Sequence, residues 1–262
     1  MATITQHAPG TFCWPELATT DQSGAKAFYS ALFGWESTDS AMGGGEFYTM
    51  LSLGGRNLGA LYTMRPEERG HGIPPHWNSY VSVESADRSA AKAKTLGGTI
   101  LAEPFDVMEH GRMAIIQDPA GATFCLWEPK QHAGAGVLNE VGALCWTELM
   151  TSDASKAEAF YTGLFGWKAE AMPMGPMTYT IYKNGDAQAG GMMQITKEMG
   201  PMPSHWMVYF SVSDCDGTVA KAGTLGGKIT VPPQHIPNIG RFAVLRDPQG
   251  GYFAIITLSQ RA

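Results

Sequence analysis

The chain has 262 residues, 44% of them apolar and 16% charged, which excludes a disordered chain and gives each of two modest domains material for a core. Its formal charge of −6, with no basic tract, argues against nucleic acid or an anionic membrane as the main partner. No apolar run approaches the roughly 18 residues of a membrane span, and no signal peptide is visible, so a cytoplasmic protein is expected. The four cysteines form no CxxC pair and read as reduced, buried hydrophobes.

Taken in chain order, FCWPELATTD (12–21) reads as a strand running into a helix start, with Asp21 as N-cap. Ala27, Phe28, Ala31 and Leu32 follow at helical spacing, and Gly34 stops the helix. Strand-like runs come next near 46–53 and 57–63, joined by a Gly54-Gly55 hairpin turn. A second unit then repeats the order, with a strand near 76–84, a helix near 87–96 and strands near 99–103, 112–117 and 122–128. Asp118-Pro119-Ala120-Gly121 is the turn before the last strand.

The whole pattern recurs. FCWPELATTD returns as LCWTELMTSD, and AFYSALFGW as AFYTGLFGW, both at an offset of 132 (144 from 12, 159 from 27). HWNSYVSV returns as HWMVYFSV and GRMAIIQDPAG as GRFAVLRDPQG, at an offset of 129 (205 from 76, 240 from 111). A period this long means two whole domains. We place them at 8–130 and 141–260, with a polar, glycine-containing linker at 131–140. Each domain reads as two β-α-β-β-β units, an α+β architecture.

Units of this order, with AFYxxLFGW closing the helix and GRxxxxxDPxG before the last strand, resemble the vicinal oxygen chelate superfamily. That group includes glyoxalase I, extradiol dioxygenases and bleomycin-binding proteins. The resemblance implies paired units curled into a half-open barrel around a cleft, in which catalytic members hold a divalent metal. It also implies where the metal ligands would fall. Those positions hold Trp14 and Trp146, Asn78 and Met207, and Cys125 and Ala254, with Gly59–Leu61 or Gly190–Met192 where a further carboxylate belongs. Indole, thioether and methyl groups do not ligate such ions. The expectation is therefore a pair of clefts with neither metal nor cofactor.

Alternation supplies the cleft linings. Leu17 packs under the helix, which turns Trp14 and Glu16 inward, as Trp146 and Glu148 turn in the second copy. His76, Asn78 and Tyr80 face the cleft from the next strand, as do His205, Met207 and Tyr209. Cys125 and Trp127, and Tyr252, Ala254 and Ile256, join them from the last strands. Glu16 and Glu148 are candidate general bases or anionic anchors, since desolvation raises a carboxyl pKa. A plain structural pairing would serve them equally. His76 and His205 are candidate acids, or simply strand-start residues. Arg112 and Arg241 would clamp an anion, or more plainly fix the DPxG turn or pair with a glutamate.

Three functions follow. The first is a metal-free protein that binds an aromatic or cationic small molecule, as a monomer or homodimer. The second is a metal-independent lyase, isomerase or hydroxylase-like enzyme using Glu16 or Glu148. The third, a metal glyoxalase or dioxygenase with displaced ligands, fits the residues least. The more polar first copy is the expected seat of activity.

Overall fold

The computed structural model describes residues 2–174 and 177–259. Its first half runs β1 (Phe12–Thr19), α1 (Gln22–Phe33), β2 (Glu36–Gly43), β3 (Glu46–Leu53), β4 (Arg56–Thr63), α2 (Pro66–Gly70), β5 (His76–Ser82), α3 (Ala86–Thr95), β6 (Thr99–Val107), β7 (Gly111–Gln117) and β8 (Thr123–Pro129). Its second half runs β9 (Leu144–Thr151), α4 (Ala154–Phe165), β10 (Lys168–Met174), β11 (Met177–Asn184), β12 (Ala187–Gln194), a 3-10 turn (Lys197–Met199), β13 (His205–Ser211), α5 (Cys215–Thr224), β14 (Lys228–Ile236), β15 (Gly240–Arg246) and β16 (Tyr252–Leu258).

Local chemistry sets these boundaries. The Asp21 carboxylate accepts from the Gly24 amide at the start of α1, and Asp153 from Lys156 at the start of α4. Gly34 and Gly166 end those helices at φ 76 and 73°, with amides returned to Ser30 and Thr162. Gly54 and Gly55, at φ 56 and 72°, supply the two left-handed residues of a tight hairpin. The strand that hydropathy did not place in the first unit is β2, because all eight of its residues are exposed and carry no alternation.

Each copy forms one eight-stranded sheet, in the order β2-β3-β4-β1-β5-β8-β7-β6 and likewise β10-β11-β12-β9-β13-β16-β15-β14. The two units of a copy meet at an antiparallel pair, β1 with β5 and β9 with β13. Parallel pairs flank it, β1 with β4 and β5 with β8, so the sheet curls into a half-barrel.

The main cores lie between copies. Phe28, Tyr29 and Leu32 of α1 pack with Phe210, Val219 and Phe253 of the second copy. Phe160, Tyr161 and Leu164 of α4 pack with Val81, Ala93 and Phe124 of the first. Tyr29 donates to Asp247 at 2.9 Å and accepts from Trp77 at 3.1 Å. Tyr161 donates to Asp118 at 3.0 Å and accepts from Trp206 at 2.8 Å. Asp118 and Asp247 also accept backbone amides of their own turns. The repeated AFY and DPxG motifs are thus the two sides of one joint, each side drawn from a different copy. A hydrogen bond to a charged group contributes about 1.5–3 kcal/mol, so the paired joints add materially to the apolar burial around them.

Arg112 grips Asp87 at 2.7 and 2.9 Å, and Arg241 grips Asp216 at 2.6 and 2.8 Å. These arginines pin a hairpin to the first turn of α3 or α5, rather than fixing the DPxG turn or meeting a glutamate. No described helix is long and apolar enough to cross a membrane.

Candidate binding clefts

The inner face of each half-barrel is built around one carboxylate. Glu16 sits on β1, facing away from Leu17, which lies in the core under α1. Its Oε1 accepts from the Tyr48 hydroxyl and its Oε2 from Tyr80, both at 2.7 Å. Trp14 Nε1 donates to the Tyr48 oxygen at 3.4 Å. The second copy reproduces the group. Tyr179 donates to Glu148 Oε2 at 2.8 Å, Tyr209 donates to Oε1 at 2.9 Å, and Trp146 Nε1 donates to Tyr179 at 2.9 Å.

Tyr48 and Tyr179 were not among the residues singled out by sequence. They stand on β3 and β11, two strands away from the glutamates, and reach across β4 and β12. Small residues make that reach possible: Ala60 lies opposite Glu16 in register, and Gly191 opposite Glu148. A methyl on Gly191 would overlap the Tyr179 hydroxyl. The available signal was the pairing of FYTM with TYTI, each followed by a small-residue strand, LGALY and AGGMM.

Both glutamates are nearly sealed, at 7 and 8% exposure. Burial holds each carboxyl above its ordinary range, and the two phenols pull it partly back. Glu16 also feels Glu68, which adds to the rise, and Arg65, which opposes it. Burial and the adjacent carboxylate push the four phenols upward, so they stay protonated and donate. Each carboxylate oxygen retains a lone pair for one more donor.

The other sequence candidates sort by position. Trp14, Tyr80, Cys125 and Trp127 share the first cleft's apolar cluster with Met113, and Asn78 pairs with Glu16 in register. Met207, Tyr209, Ala254 and Ile256 form the second cluster with Trp146, Phe242 and Val244 against it. His76 and His205 stand at the strand starts, and their Nδ1 atoms bond the Pro74 and Pro203 carbonyls at 2.8 and 2.9 Å. The glutamates' hydrogen bonds go to tyrosines, not to these histidines. Tyr252 is 42% exposed, and its ring lies under Arg246 outside the cleft cluster. Two surface hollows, of about 260 and 410 Å³, open beside α3 and α4 and reach neither glutamate.

The family metal does not fit these residues. Its positions present indole, amide or thioether, and thiol or methyl groups, and Glu16 or Glu148 alone falls short of the three donors such an ion needs. Among the described residues, no three His, Cys, Asp or Glu side chains are gathered to share an ion.

A duplicated α+β chain with two curled sheets, each closed around an inward carboxylate, defines a tandem cleft protein. The model of the Glyoxalase/Bleomycin resistance protein/Dioxygenase superfamily matches residues 11–126 and again 143–255, and the chain belongs to that superfamily. It is 42% identical over 253 residues to "Putative glyoxylase CFP32" of Mycobacterium tuberculosis, covering 96% of both chains. It is 33% identical over 267 residues to "Anthracycline biosynthesis protein DnrV" of Streptomyces peucetius, covering 98% of this chain and 96% of that one. The Mn(II)-bound glyoxalase from Novosphingobium aromaticivorans shares the fold, with TM-score 0.65 at 14% identity over 98% of this chain and 83% of that one. A variant of homoprotocatechuate 2,3-dioxygenase from B. fuscum does so with TM-score 0.66 at 17% identity, over 98% and 74%.

Proposed function

We propose that the chain is a metal-independent small-molecule-binding protein of its superfamily, which holds an aromatic or cationic compound in a barrel cleft. The observation that carries this reading is the buried carboxylate with a phenol on each oxygen and an indole beside it, found in both copies. Such a group accepts a hydroxyl or ammonium donor, and the indole offers a flat face for stacking or for a cation. The relatives named for anthracycline biosynthesis favour a flat, polycyclic, hydroxyl-bearing ligand.

A second reading is a metal-independent enzyme. It is favoured by the glutamates' raised pKa beside protonated phenols, an arrangement suited to moving a proton at the carboxylate. The carboxylate would take a proton from an acidic carbon or hydroxyl, and a neighbouring phenol would steady the charge that develops.

The candidate site residues in this reading are Glu16 and Glu148 for the acceptor role and the cleft aromatics for stacking. His76 and His205, the candidate acids, stand at the strand starts, at the far end of the sheet from Trp14 and Trp146. All four cysteines are free in the structure, which suits a reducing compartment such as the cytoplasm. The cross-copy core already buries each helix face, so a monomer suffices, and sedimentation would show it.

Titration of tryptophan fluorescence with planar hydroxylated and cationic aromatics tests both readings. Binding should survive exhaustive chelation and weaken in Glu16→Gln or Glu148→Gln. A stoichiometric transition metal whose removal abolishes binding would refute metal independence. Turnover that vanishes in those variants while binding persists would establish the enzyme.

A further inference from the structure

The two clefts share a carboxylate but not an entrance. Residues 131–138 run across the open end of the first half-barrel. The Ala135 amide donates to the Cys13 carbonyl at 2.8 Å, and the Gly136 amide to Asn57 at 2.7 Å. His7 Nε2 bonds the Ala135 carbonyl at 2.9 Å, and Trp127 Nε1 donates to the His132 carbonyl at 2.9 Å. The His132 ring stands edge-on to Trp14, with centroids 4.6 Å apart. Gly134 adopts φ +119°, and a Cβ there would lie 2.7 Å from the Cys13 carbonyl, so the segment rests directly on β1. Ala135 is fully buried, and Trp14 is left 5% exposed.

At the matching end of the second half-barrel, Cys145, Trp146 and Phe242 are half-buried where Cys13, Trp14 and Met113 are buried, while Val244 and its counterpart Ile115 are half-buried alike. The side chains from the last strand are also smaller there. Ile256 stands where the first copy has Trp127, and Ala254 where it has Cys125. Met207 replaces Asn78 beside the carboxylate and leaves the wall apolar.

We infer that the second half-barrel alone admits ligand, and that its ligand is a planar aromatic molecule bearing one hydroxyl or ammonium donor. The ring lies against Trp146, walled by Met207, Phe242, Val244 and Ile256, and the donor reaches a free lone pair of Glu148. The first half-barrel keeps the same carboxylate group as a closed, structural element. This inference rests on the binding reading above and narrows it to one cleft.

Calorimetric titration with proflavine, a planar diaminoacridine cation, tests it on the intact chain. One equivalent should bind and quench tryptophan fluorescence. Its affinity should fall at least tenfold in Glu148→Gln and likewise in Val244→Trp, which narrows the mouth without touching the carboxylate. Circular dichroism checks that each variant folds. Two equivalents, or a single one weakened by Glu16→Gln and not by Glu148→Gln, would overturn the one-cleft inference while the binding reading stands. Absence of binding by both proflavine and the uncharged 1,4-dihydroxyanthraquinone would bring down the binding reading itself.

Discussion

In the first half-barrel Trp14 is sealed by the connecting segment and Trp127 fills the interior; in the second, Trp146 is half-buried and Ile256 takes the place of the larger indole. The carboxylate and its two phenols barely change, with hydrogen bonds of 2.7 Å in one and 2.8–2.9 Å in the other. Duplication has therefore preserved the polar group twice while the apolar surroundings diverged. A buried carboxylate with its donors in place is costly to alter piecemeal, because removing one donor leaves charge unsatisfied. Apolar volume around it is freer to drift, since each change costs only its own cavity or strain. The difference between the clefts is thus one of access and filling, not of chemistry at the centre.

The sharpest way to break this comparison is to empty the first interior. Trp127→Ala should destabilise the protein by about 3–5 kcal/mol in urea denaturation, because the indole fills a closed space. Trp146→Ala in the second cleft, the same deletion at a half-buried indole, should cost less. Similar losses at the two sites would mean that the second interior is as tightly filled as the first.

Removing a phenolic donor comes next. Tyr80→Phe and Tyr209→Phe each strip one hydrogen bond from a buried carboxylate, at a cost of about 1–3 kcal/mol. On the one-cleft inference the cost is greater for Tyr80, because water entering past the half-buried Trp146 can replace the donor lost in the second cleft. An equal or inverted order in paired denaturation curves would contradict the difference in access.

The pH dependence is gentler. Burial raises Glu16 and Glu148 above their unfolded values, so the folded chain holds these protons more tightly than the unfolded chain. Their contribution to stability is complete below the ordinary carboxyl pKa of about 4.3 and is lost as pH rises through the raised folded value. Glu148→Gln should flatten that fall in a series of denaturation midpoints. A slope unchanged from the parent would show that the carboxyl is not raised.

The smallest effect concerns the symmetric surface arginines. Arg112→Ala and Arg241→Ala should shift the denaturation midpoint little and by similar amounts, because their aspartate partners are solvent-exposed.

Much of this was legible in the sequence, for physical reasons. Helix caps, glycine turns and strict alternation are local, so β1, α1 and the hairpin at Gly54-Gly55 could be placed, along with the inward direction of Glu16. β2 could not be placed by pattern, because a wholly exposed strand has no periodic apolar signal. Tyr48 and Tyr179 escaped because they reach the glutamates across an intervening strand, a relation set by sheet order rather than spacing. The Tyr29–Asp247 and Tyr161–Asp118 joints escaped because a repeat does not state which copy each motif touches. The polar linker composition gave no hint that Ala135 would be buried against the first half-barrel and Val137 in the core between copies.

The difference in access can be read directly from the cysteines. Cys13 and Cys125 are buried in the first half-barrel, whereas Cys145 is half-buried at the second cleft, with burial pushing its thiol up to about 12. Native protein exposed to N-ethylmaleimide, with labelled peptides mapped by mass spectrometry over time, should show Cys145 modified well before Cys13 and Cys125. Bound proflavine should slow that modification. Labelling of Cys13 or Cys125 as fast as Cys145 would contradict a sealed first half-barrel and an open second one.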